Sequence, residues 1–153
     1  MMDSIGVLGA GHMGLAVIKG LINSGSCAAS HILVAEHDAA RRRVVEGLGC
    51  EVTSDATALR AKDVIVLCVR PQDFPEAARA IATPHPLLAV SVMAGLDSET
   101  IASACGVATR VVRAMPNAAA EIGRGMTGLA AGVGATDSDV AIARPMFECL
   151  GTV

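Results

Sequence analysis

The chain has almost no aromatic side chains: two Phe, no Tyr and no Trp in 153 residues. Proteins that bind single-stranded nucleic acid stack bases on aromatic rings, so this scarcity argues against that class. The formal net charge of −3 also argues against a polyanionic partner. The core must then be built from Ala, Val, Ile, Leu and Met, which is typical of parallel sheets whose buried strands are continuous aliphatic runs.

Long apolar runs and paired cysteine motifs are also missing. No run approaches the roughly 18 apolar residues that a transmembrane helix needs, and Met1–Ser4 carry no basic residue ahead of the first apolar run, so we expect no signal peptide. The five cysteines are scattered and form no C-x-x-C. They are interpreted as small buried hydrophobes in a reducing, cytoplasmic compartment. The histidine spacing defines no zinc site, so we expect no metal.

Apolar runs alternate with helical patterns from end to end, without a repeat or a linker. This alternation predicts one α/β domain over residues 1–153, of the Rossmann type: a doubly wound, mainly parallel sheet with helices on both faces. We expect strands near 4–8, 32–35, 51–52, 64–68, 88–92, 110–114 and 126–131, and helices near 12–24, 39–48, 56–60, 74–82, 98–105 and 137–150.

Several residues have the character of helix ends. Asp73 and Asp97 precede predicted helices and are interpreted as N-caps before anything catalytic. The segment 136–139, Thr-Asp-Ser-Asp, is typical of a capped helix start with acids in the first turn. Gly151 is predicted to end the last helix.

The segment Gly9–Gly14 is the most informative motif. It reads G-A-G-H-M-G, follows the apolar run 5–8 and precedes a helix with an apolar face. A strand, three spaced glycines and a helix are the fingerprint of a dinucleotide-binding βαβ unit. Gly9 would make the tight turn, Gly11 would let the backbone approach a pyrophosphate, and Gly14 would let the helix pack closely on the strand.

Glu36 closes the next apolar run, about 20 residues further on, where an acid binds the ribose hydroxyls of the cofactor. It could instead be a solvent-exposed acid at the end of a strand. A ribose-binding acid repels a 2′-phosphate and favours NAD over NADP. Arg41 or Arg42 could serve such a phosphate, so the choice stays open.

Three further segments follow predicted strands at their carboxyl ends, where open α/β sheets bind ligands. Residues 68–72 contain Pro71, which ends a strand and makes a rigid loop. Residues 91–96 are small enough to leave room for a planar ring. Residues 113–117 follow the last predicted parallel strand.

Five motifs in this order resemble the pyrroline-5-carboxylate reductase family, which makes proline. That family reads roughly G-x-G-N-M, A-V-K-P, S-x-x-A-G, R-x-M-P-N-T-P and G-M-T, and the resemblance covers essentially the whole chain. The matching residues are Gly9-Ala10-Gly11-His12-Met13, Cys68-Val69-Arg70-Pro71, Ser91-Val92-Met93-Ala94-Gly95, Arg113-Ala114-Met115-Pro116-Asn117 and Gly125-Met126-Thr127.

The resemblance implies that NAD(P)H passes a hydride to C5 of Δ1-pyrroline-5-carboxylate, a cyclic imine carboxylate, and forms proline. A protonated imine is already electrophilic, so no nucleophile or strong base is assigned, and Asn117 is only a candidate residue near the reacting ring. Asn117 could equally hold its own loop, and Arg113 could make an ion pair or meet a ligand. By resemblance the cofactor would meet Gly9, Gly11, His12, Met13, Gly14, Glu36, Val69, Arg70, Pro71, Met93, Ala94 and Gly95.

The chain departs from this pattern in four residues. His12 replaces Asn and could contact the cofactor or point to water. Arg70 replaces Lys, which keeps the charge and changes the geometry. Ala118 and Ala119 replace Thr and Pro, so a hydroxyl and a rigid turn near the substrate are lost.

The family's second domain, which is helical, makes the homodimer and holds the substrate carboxylate, has no counterpart here. We expect either a fragment or a natural stand-alone cofactor domain. The alternatives are therefore a nucleotide-binding domain without full catalysis and a deazaflavin (F420)-dependent NADP reductase. The last predicted helix carries apolar residues that an absent domain would cover, which predicts a homo-oligomer; they are Val140, Met146, Phe147 and Leu150.

Overall fold

A computed structural model describes residues 4–153, and the expectation about a signal peptide rests partly on residues 1–3, outside that range. One sheet runs through the described chain. Its strands are β1 (Ile5–Leu8), β2 (Ile32–Ala35), β3 (Glu51–Thr53), β4 (Val64–Leu67), β5 (Leu87–Ser91), β6 (Thr109–Pro116), β7 (Gly125–Ala131) and β8 (Gly151–Thr152).

The spatial order of the strands is β3-β2-β1-β4-β5-β6-β7-β8. The first six strands are mutually parallel, whereas β7 is antiparallel to β6 and β8 is parallel to β7. The order β3-β2-β1-β4-β5-β6 is that of the doubly wound dinucleotide-binding fold, in which the order of the strands, although not their direction, reverses between β1 and β4. The predicted fold class is confirmed.

Helices cover both faces of the sheet. They are α1 (His12–Asn23), α2 (Ala39–Glu46), α3 (Phe74–Ile81), α4 (Ser98–Cys105) and α5 (Asp137–Glu148). One face packs against α1, α2 and α5, and its core includes Val7, Val17 and Phe147. The other face packs against α3 and α4, and its core includes Phe74 and Ile101. The two aromatic rings of the chain are thus divided between the two faces.

The apolar residues of α5 do not form a free surface, so the basis for predicting self-association through this helix was wrong. Met146 and Phe147 are fully buried, Leu150 is 3% exposed, and Val140 packs against the same core cluster. The physical reason is that α5 lies across α1 and β7 and closes one face of this chain's own sheet.

Two boundaries differ from expectation. The last helix ends at Glu148, and Gly151 begins β8, where its backbone lies against Gly125 too closely to admit a side chain. The segment predicted as a helix at 56–60 is a 3₁₀ helix (Ala56–Ala61), because only a short stretch joins β3 to β4. Within residues 4–153, no helix is both long enough and apolar enough to cross a membrane.

Helix-end predictions were right at two of three acidic starts. Asp97 accepts a hydrogen bond from the Thr100 N–H at 2.7 Å, and a reciprocal capping box joins Thr136 and Asp139 at the start of α5. Asp73 precedes α3 but does not cap it with its side chain. Its carboxylate instead binds a neighbouring arginine.

Candidate functional site

The carboxyl ends of β1, β2, β4 and β5 meet at one edge of the sheet. Leu8 is paired with both Ala35 and Leu67, and Leu67 is paired with Ser91. Every segment that follows these strands therefore starts within a few ångströms of its neighbour. The sequence-predicted site segments brought together here are Gly9–Gly14, Glu36 with its turn, Cys68–Gln72 and Val92–Gly95.

The glycines at the end of β1 serve two packing purposes. Gly9 has φ +93°, which a side chain rarely adopts, and a Cβ there would lie 3.0 Å from the Cys68 carbonyl oxygen. A Cβ on Gly14 would overlap the carbonyl oxygen of Gly9. These two positions need glycine because the chain itself leaves no room, as the fingerprint predicts.

Gly11 is different because a Cβ there would meet no atom within 4 Å. Its φ of −68° is open to any residue, so neither backbone strain nor crowding in this chain explains a glycine. Gly11 is also the N-cap of α1, which has no side-chain cap and no acidic residue in its first turn. Unpaired N–H groups and the positive end of the helix dipole therefore face an open space, an arrangement that fits an anionic diphosphate.

Glu36 is buried, with its side chain 3% exposed, so the alternative of a solvent-exposed acid is wrong. One carboxylate oxygen accepts the Ala10 N–H at 2.8 Å, and the other accepts the Asp38 N–H at 2.9 Å. His37 Nδ1 lies 3.2 Å and Arg41 Nη1 lies 3.9 Å from this carboxylate. Glu36 therefore ties the glycine turn to the turn that follows β2.

The two arginines that could bind a phosphate differ in the groups that they already contact. Arg42 donates from Nη1 to the carbonyl oxygens of Glu36 and His37, at 2.8 and 2.7 Å. Arg41 lies beside the Glu36 carboxylate. Neither contact was predictable from the basic run, since both depend on the course of the turn between β2 and α2.

The loop after β4 presents Arg70 and Pro71 to solvent. Arg70 Nε donates to the Asp73 carboxylate at 2.7 Å, and this bond raises the pKa of Arg70. Val69 packs beside Gly9, with its Cγ1 3.1 Å from the place where a Cβ on Gly9 would lie. The loop therefore forms one wall next to the glycine turn.

Cys68, in the same loop, is a neutral thiol. Burial raises its pKa to about 12, which removes the thiolate form at physiological pH. It contacts the helix start, because a Cβ on Gly14 would lie 3.2 Å from the Cβ of Cys68. Cys68 is thus a packing residue beside the site.

The loop after β5 turns Met93 inward and leaves Ala94 and Gly95 at the surface. The Met93 N–H donates to Ser91 Oγ at 3.3 Å, and Arg113 Nη1 donates to the same hydroxyl at 3.2 Å. Arg113 thereby ties the end of β5 to β6 through a hydroxyl, a structural role different from the expected ion pair, and its contact with a ligand stays a prediction. A planar ring at this edge would meet backbone and small side chains.

Asn117 holds the connection between β6 and β7. Its Oδ1 accepts the Met126 N–H at 3.2 Å, and its own N–H donates to the Met126 carbonyl oxygen at 3.2 Å. This is the loop-holding alternative. Its amide nitrogen remains on an exposed residue, so the candidate position near a reacting ring stays a prediction.

His12 and Glu121 form a contact that was not predicted. His12 Nδ1 lies 3.5 Å from Glu121 Oε1, and both side chains are exposed. Glu121 is in a 3₁₀ helix (Ala118–Ile122) that packs against α1. The sequence signal was weak, because an Ala-Ala-Ala-Glu-Ile stretch after a strand has no amphipathic period.

Comparison with known proteins identifies relatives of this chain. Residues 4–95 match the family model described as NADP oxidoreductase coenzyme F420-dependent. The pyrroline-5-carboxylate reductase of Methanosarcina acetivorans is 32% identical, over 98% of this chain and 57% of that protein.

Solved structures agree in fold. That of a pyrroline-5-carboxylate reductase from Coxiella burnetii has a TM-score of 0.91 at 26% identity and covers 100% of this chain and 58% of that one. The Plasmodium falciparum pyrroline carboxylate reductase, solved with NADP bound, has a TM-score of 0.83 at 21% identity, covering 99% of this chain and 57% of that one.

The chain spans somewhat more than half the length of these relatives. The resemblance predicted from the five motifs is confirmed. Because the family model matches well over half of the residues, this chain belongs to the family described as NADP oxidoreductase coenzyme F420-dependent, with pyrroline-5-carboxylate reductases as its relatives.

Proposed function

We propose that this chain is the dinucleotide-binding domain of a pyrroline-5-carboxylate reductase, which binds NAD(P)H for the reduction of a cyclic imine carboxylate to proline. The observation that carries the proposal is the division of roles among three glycines. Gly9 and Gly14 are required by the chain's own packing, whereas Gly11 borders an open space at a helix N-terminus. That space suits a ligand phosphate.

The residues at the edge of the sheet would hold the cofactor in a defined order. The N–H groups at the start of α1 would bind the diphosphate, and Glu36 lies on the adenosine side, after β2. The loops that contain Pro71 and Gly95 lie on the opposite side, after β4 and β5. The nicotinamide end would therefore lie between these two loops and the β6–β7 connection.

The bound cofactor would supply a hydride, which forms a C–H bond at C5 of the protonated imine, while the imine π electrons become the lone pair of the ring nitrogen. The substrate is already electrophilic, so this chain needs to bind, orient and exclude water. The neutral thiol of Cys68 and the residues of the loops after β4 and β5 fit a role in binding and orienting the ligands, because none of them is an activated nucleophile.

A non-catalytic nucleotide-binding domain is the second candidate. The glycine turn and Glu36 account for the binding of a dinucleotide, whereas none of the described residues is assigned a catalytic step. The description of the family model favours a third candidate, an F420-dependent NADP reductase, for residues 4–95. The curated relatives named above favour the imine reductase over this candidate.

Direct titration of NADH and NADPH tests the first step. The chain has no Trp or Tyr, so the emission of the bound reduced nicotinamide is read against little protein background. We expect saturable binding of at least one of the two cofactors. If neither binds, every reading of this chain as a dinucleotide-binding domain is wrong.

Proline-dependent reduction of NAD⁺ or NADP⁺ at high pH tests the second step, because deprotonated proline can return the hydride. Turnover supports the reductase. Cofactor binding without turnover by this chain favours the non-catalytic domain, and turnover only with a deazaflavin favours the third candidate.

A further inference from the structure

We infer that the adenosine end of the site accepts an unphosphorylated ribose, so that this chain binds NADH in preference to NADPH, with Glu36 as the residue that determines the choice. This inference rests on the proposed function, since it presumes that a dinucleotide binds along the glycine turn. It departs from the NADP in the family description. The groups that surround the Glu36 carboxylate support this preference.

The carboxylate of Glu36 is held in place from two sides. The Ala10 N–H binds one oxygen and the Asp38 N–H binds the other, at 2.8 and 2.9 Å. Ala10 belongs to the glycine turn and Asp38 is the N-cap of α2. A carboxylate anchored at both oxygens cannot swing away to make room for a second anion.

The oxygen that accepts the Ala10 N–H still has unused acceptor capacity, because each oxygen of an ionised carboxylate offers about two lone-pair positions, whereas the other oxygen faces both the Asp38 N–H and His37 Nδ1. A ribose hydroxyl can donate to such an oxygen. A 2′-phosphate has about −1.5 to −2 charges at neutral pH and little to donate. At this position the hydroxyl gains a hydrogen bond, whereas the phosphate meets a fixed negative charge.

The neighbouring cations do not make a phosphate site. The Arg42 guanidinium is bound to the carbonyl oxygens of Glu36 and His37 from its Nη1 atom. The Arg41 guanidinium lies 3.9 Å from the Glu36 carboxylate, so its charge is directed to an anion already present. An NADP site needs an arginine free to accommodate the 2′-phosphate.

The acid that caps α2 adds to the same effect. Asp38 accepts the Arg41 N–H, a bond that lowers the pKa of Asp38 and keeps it ionised. The turn between β2 and α2 therefore carries two carboxylates, Glu36 buried beside the glycine turn and Asp38 exposed at the N-cap of α2. His37 stands between them, 91% exposed, with Nδ1 3.2 Å from Glu36.

The test compares the dissociation constants of NADH and NADPH for the whole chain by cofactor fluorescence, near pH 8, where an ordinary histidine is neutral. We expect the dissociation constant of NADH to be at least about tenfold lower than that of NADPH. The reason is that repulsion between a 2′-phosphate and one carboxylate about 4 Å away weakens binding by more than about tenfold. Equal binding, or tighter binding of NADPH, overturns the inference and leaves the proposed function standing. Binding of neither cofactor overturns both.

The variant Glu36→Gln assigns the effect to this carboxylate. It removes the charge and keeps the size, so we expect weaker NADH binding, tighter NADPH binding and a ratio that falls by about tenfold. Glu46→Gln is the matched control: it makes the same change on the exposed last turn of α2, and its ratio should equal that of the unmodified chain. An unchanged ratio in a folded Glu36→Gln variant overturns the role of Glu36.

A second variant covers the case in which Glu36→Gln does not fold, as judged by circular dichroism. Arg41→Ala removes the cation beside the carboxylate without touching either anchoring N–H group. Because Arg41 is directed to Glu36 and is not a phosphate ligand, we expect the preference for NADH to remain and both dissociation constants to change by less than about threefold. A loss of NADPH affinity of about tenfold or more, with NADH binding unchanged, would mean that Arg41 binds the 2′-phosphate and would overturn the inference.

Discussion

Replacing Gly11 by alanine should separate binding from folding. A Cβ at this position meets no atom of the chain within 4 Å, and the φ of −68° suits alanine. Alanine reduces the entropy of the unfolded chain, which stabilises by about 0.4–1 kcal/mol. Alanine is also a poorer N-cap than glycine, which costs a similar few tenths to about 1 kcal/mol.

These two contributions to the free energy of unfolding of Gly11→Ala nearly cancel. We expect the net change to stay within about 0.5 kcal/mol, which corresponds to a shift in Tm of no more than about 2 °C for a chain of this size. The new methyl group would nevertheless occupy the space where the diphosphate approaches the backbone. We expect the dissociation constants of NADH and NADPH to rise together by about tenfold or more, a loss of at least about 1.4 kcal/mol.

Gly14→Ala and Gly47→Ala are the comparison variants for this measurement. A Cβ on Gly14 would overlap the Gly9 carbonyl oxygen, so overpacking should lower stability by about 1–3 kcal/mol, in addition to weakening cofactor binding. Gly47 has φ −62° at the far end of α2, where a Cβ makes only ordinary contacts, so its variant should raise stability by about 0.4–1 kcal/mol and leave cofactor binding unchanged.

Thermal unfolding followed by circular dichroism and cofactor titration measure all three variants. A Gly11→Ala chain that keeps its cofactor affinity would refute the reasoning, because the open space would then not be the diphosphate site. A large drop in Tm for this variant would also refute it, because the position would be needed for folding.

Other regions give three further predictions. Asp139→Ala should lower the free energy of unfolding in urea by about 2–4 kcal/mol, because it removes a capping box and the 3.4 Å ion pair with Arg110 in one step. Cys68 and Cys105, whose pKa values burial raises to about 12 and about 11, should resist iodoacetamide at pH 8 in the folded chain and react in urea. Hydrogen bonds from the side chain and then the N–H of Thr100, at the start of α4, lower the pKa of Asp97. Their stabilising effect should be complete above about pH 4 and lost as the pH falls through the lowered pKa, as urea titrations from pH 2 to 6 would measure.

Ser138→Ala, on the exposed first turn of α5, is the control for Asp139→Ala and should leave the free energy of unfolding nearly unchanged. Equal losses of stability in the two variants would contradict the role of Asp139 in the capping box. Rapid labelling of Cys68, which is only partly exposed, would contradict the raised pKa of its thiol. Asp97→Asn should abolish part of the acid dependence, and an unchanged pH profile would show that the cap at α4 is not linked to it.

The regular elements of the parallel sheet were predictable because their signals are local. The runs 32–35 and 64–68 are continuously aliphatic, as strands buried on both faces must be, and each is followed by a polar or proline-containing loop. The 3₁₀ helix at Ala118–Ile122 was missed since its five residues have no period long enough to detect. The short strand β8 exists through its pairing with β7, a contact about 26 residues away along the chain.

The candidate site divides in the same way. Gly9, Gly11 and Gly14 were assigned from spacing alone. The structure gives Gly9 and Gly14 the tight turn and the close packing that were predicted, and the contact of Gly11 with a phosphate stays a prediction. Glu36 was placed at the right strand end, but its burial and its two N–H partners were not predictable. They depend on the distance between two turns that are separated by a whole helix in the sequence.

What the sequence determined by itself was the order of strands and helices and the position of the glycine turn after β1, because hydrophobic period and glycine spacing are local properties. Only the tertiary structure decided which side chains are already bound to, or buried against, other groups of the chain. The Arg42 guanidinium is bound to two carbonyl oxygens, the face of α5 is buried, and the carboxylate of Glu36 is anchored between two turns. These contacts join segments that are distant in the sequence. A motif can therefore indicate where a dinucleotide binds, whereas packing and charge determine whether the ribose is phosphorylated.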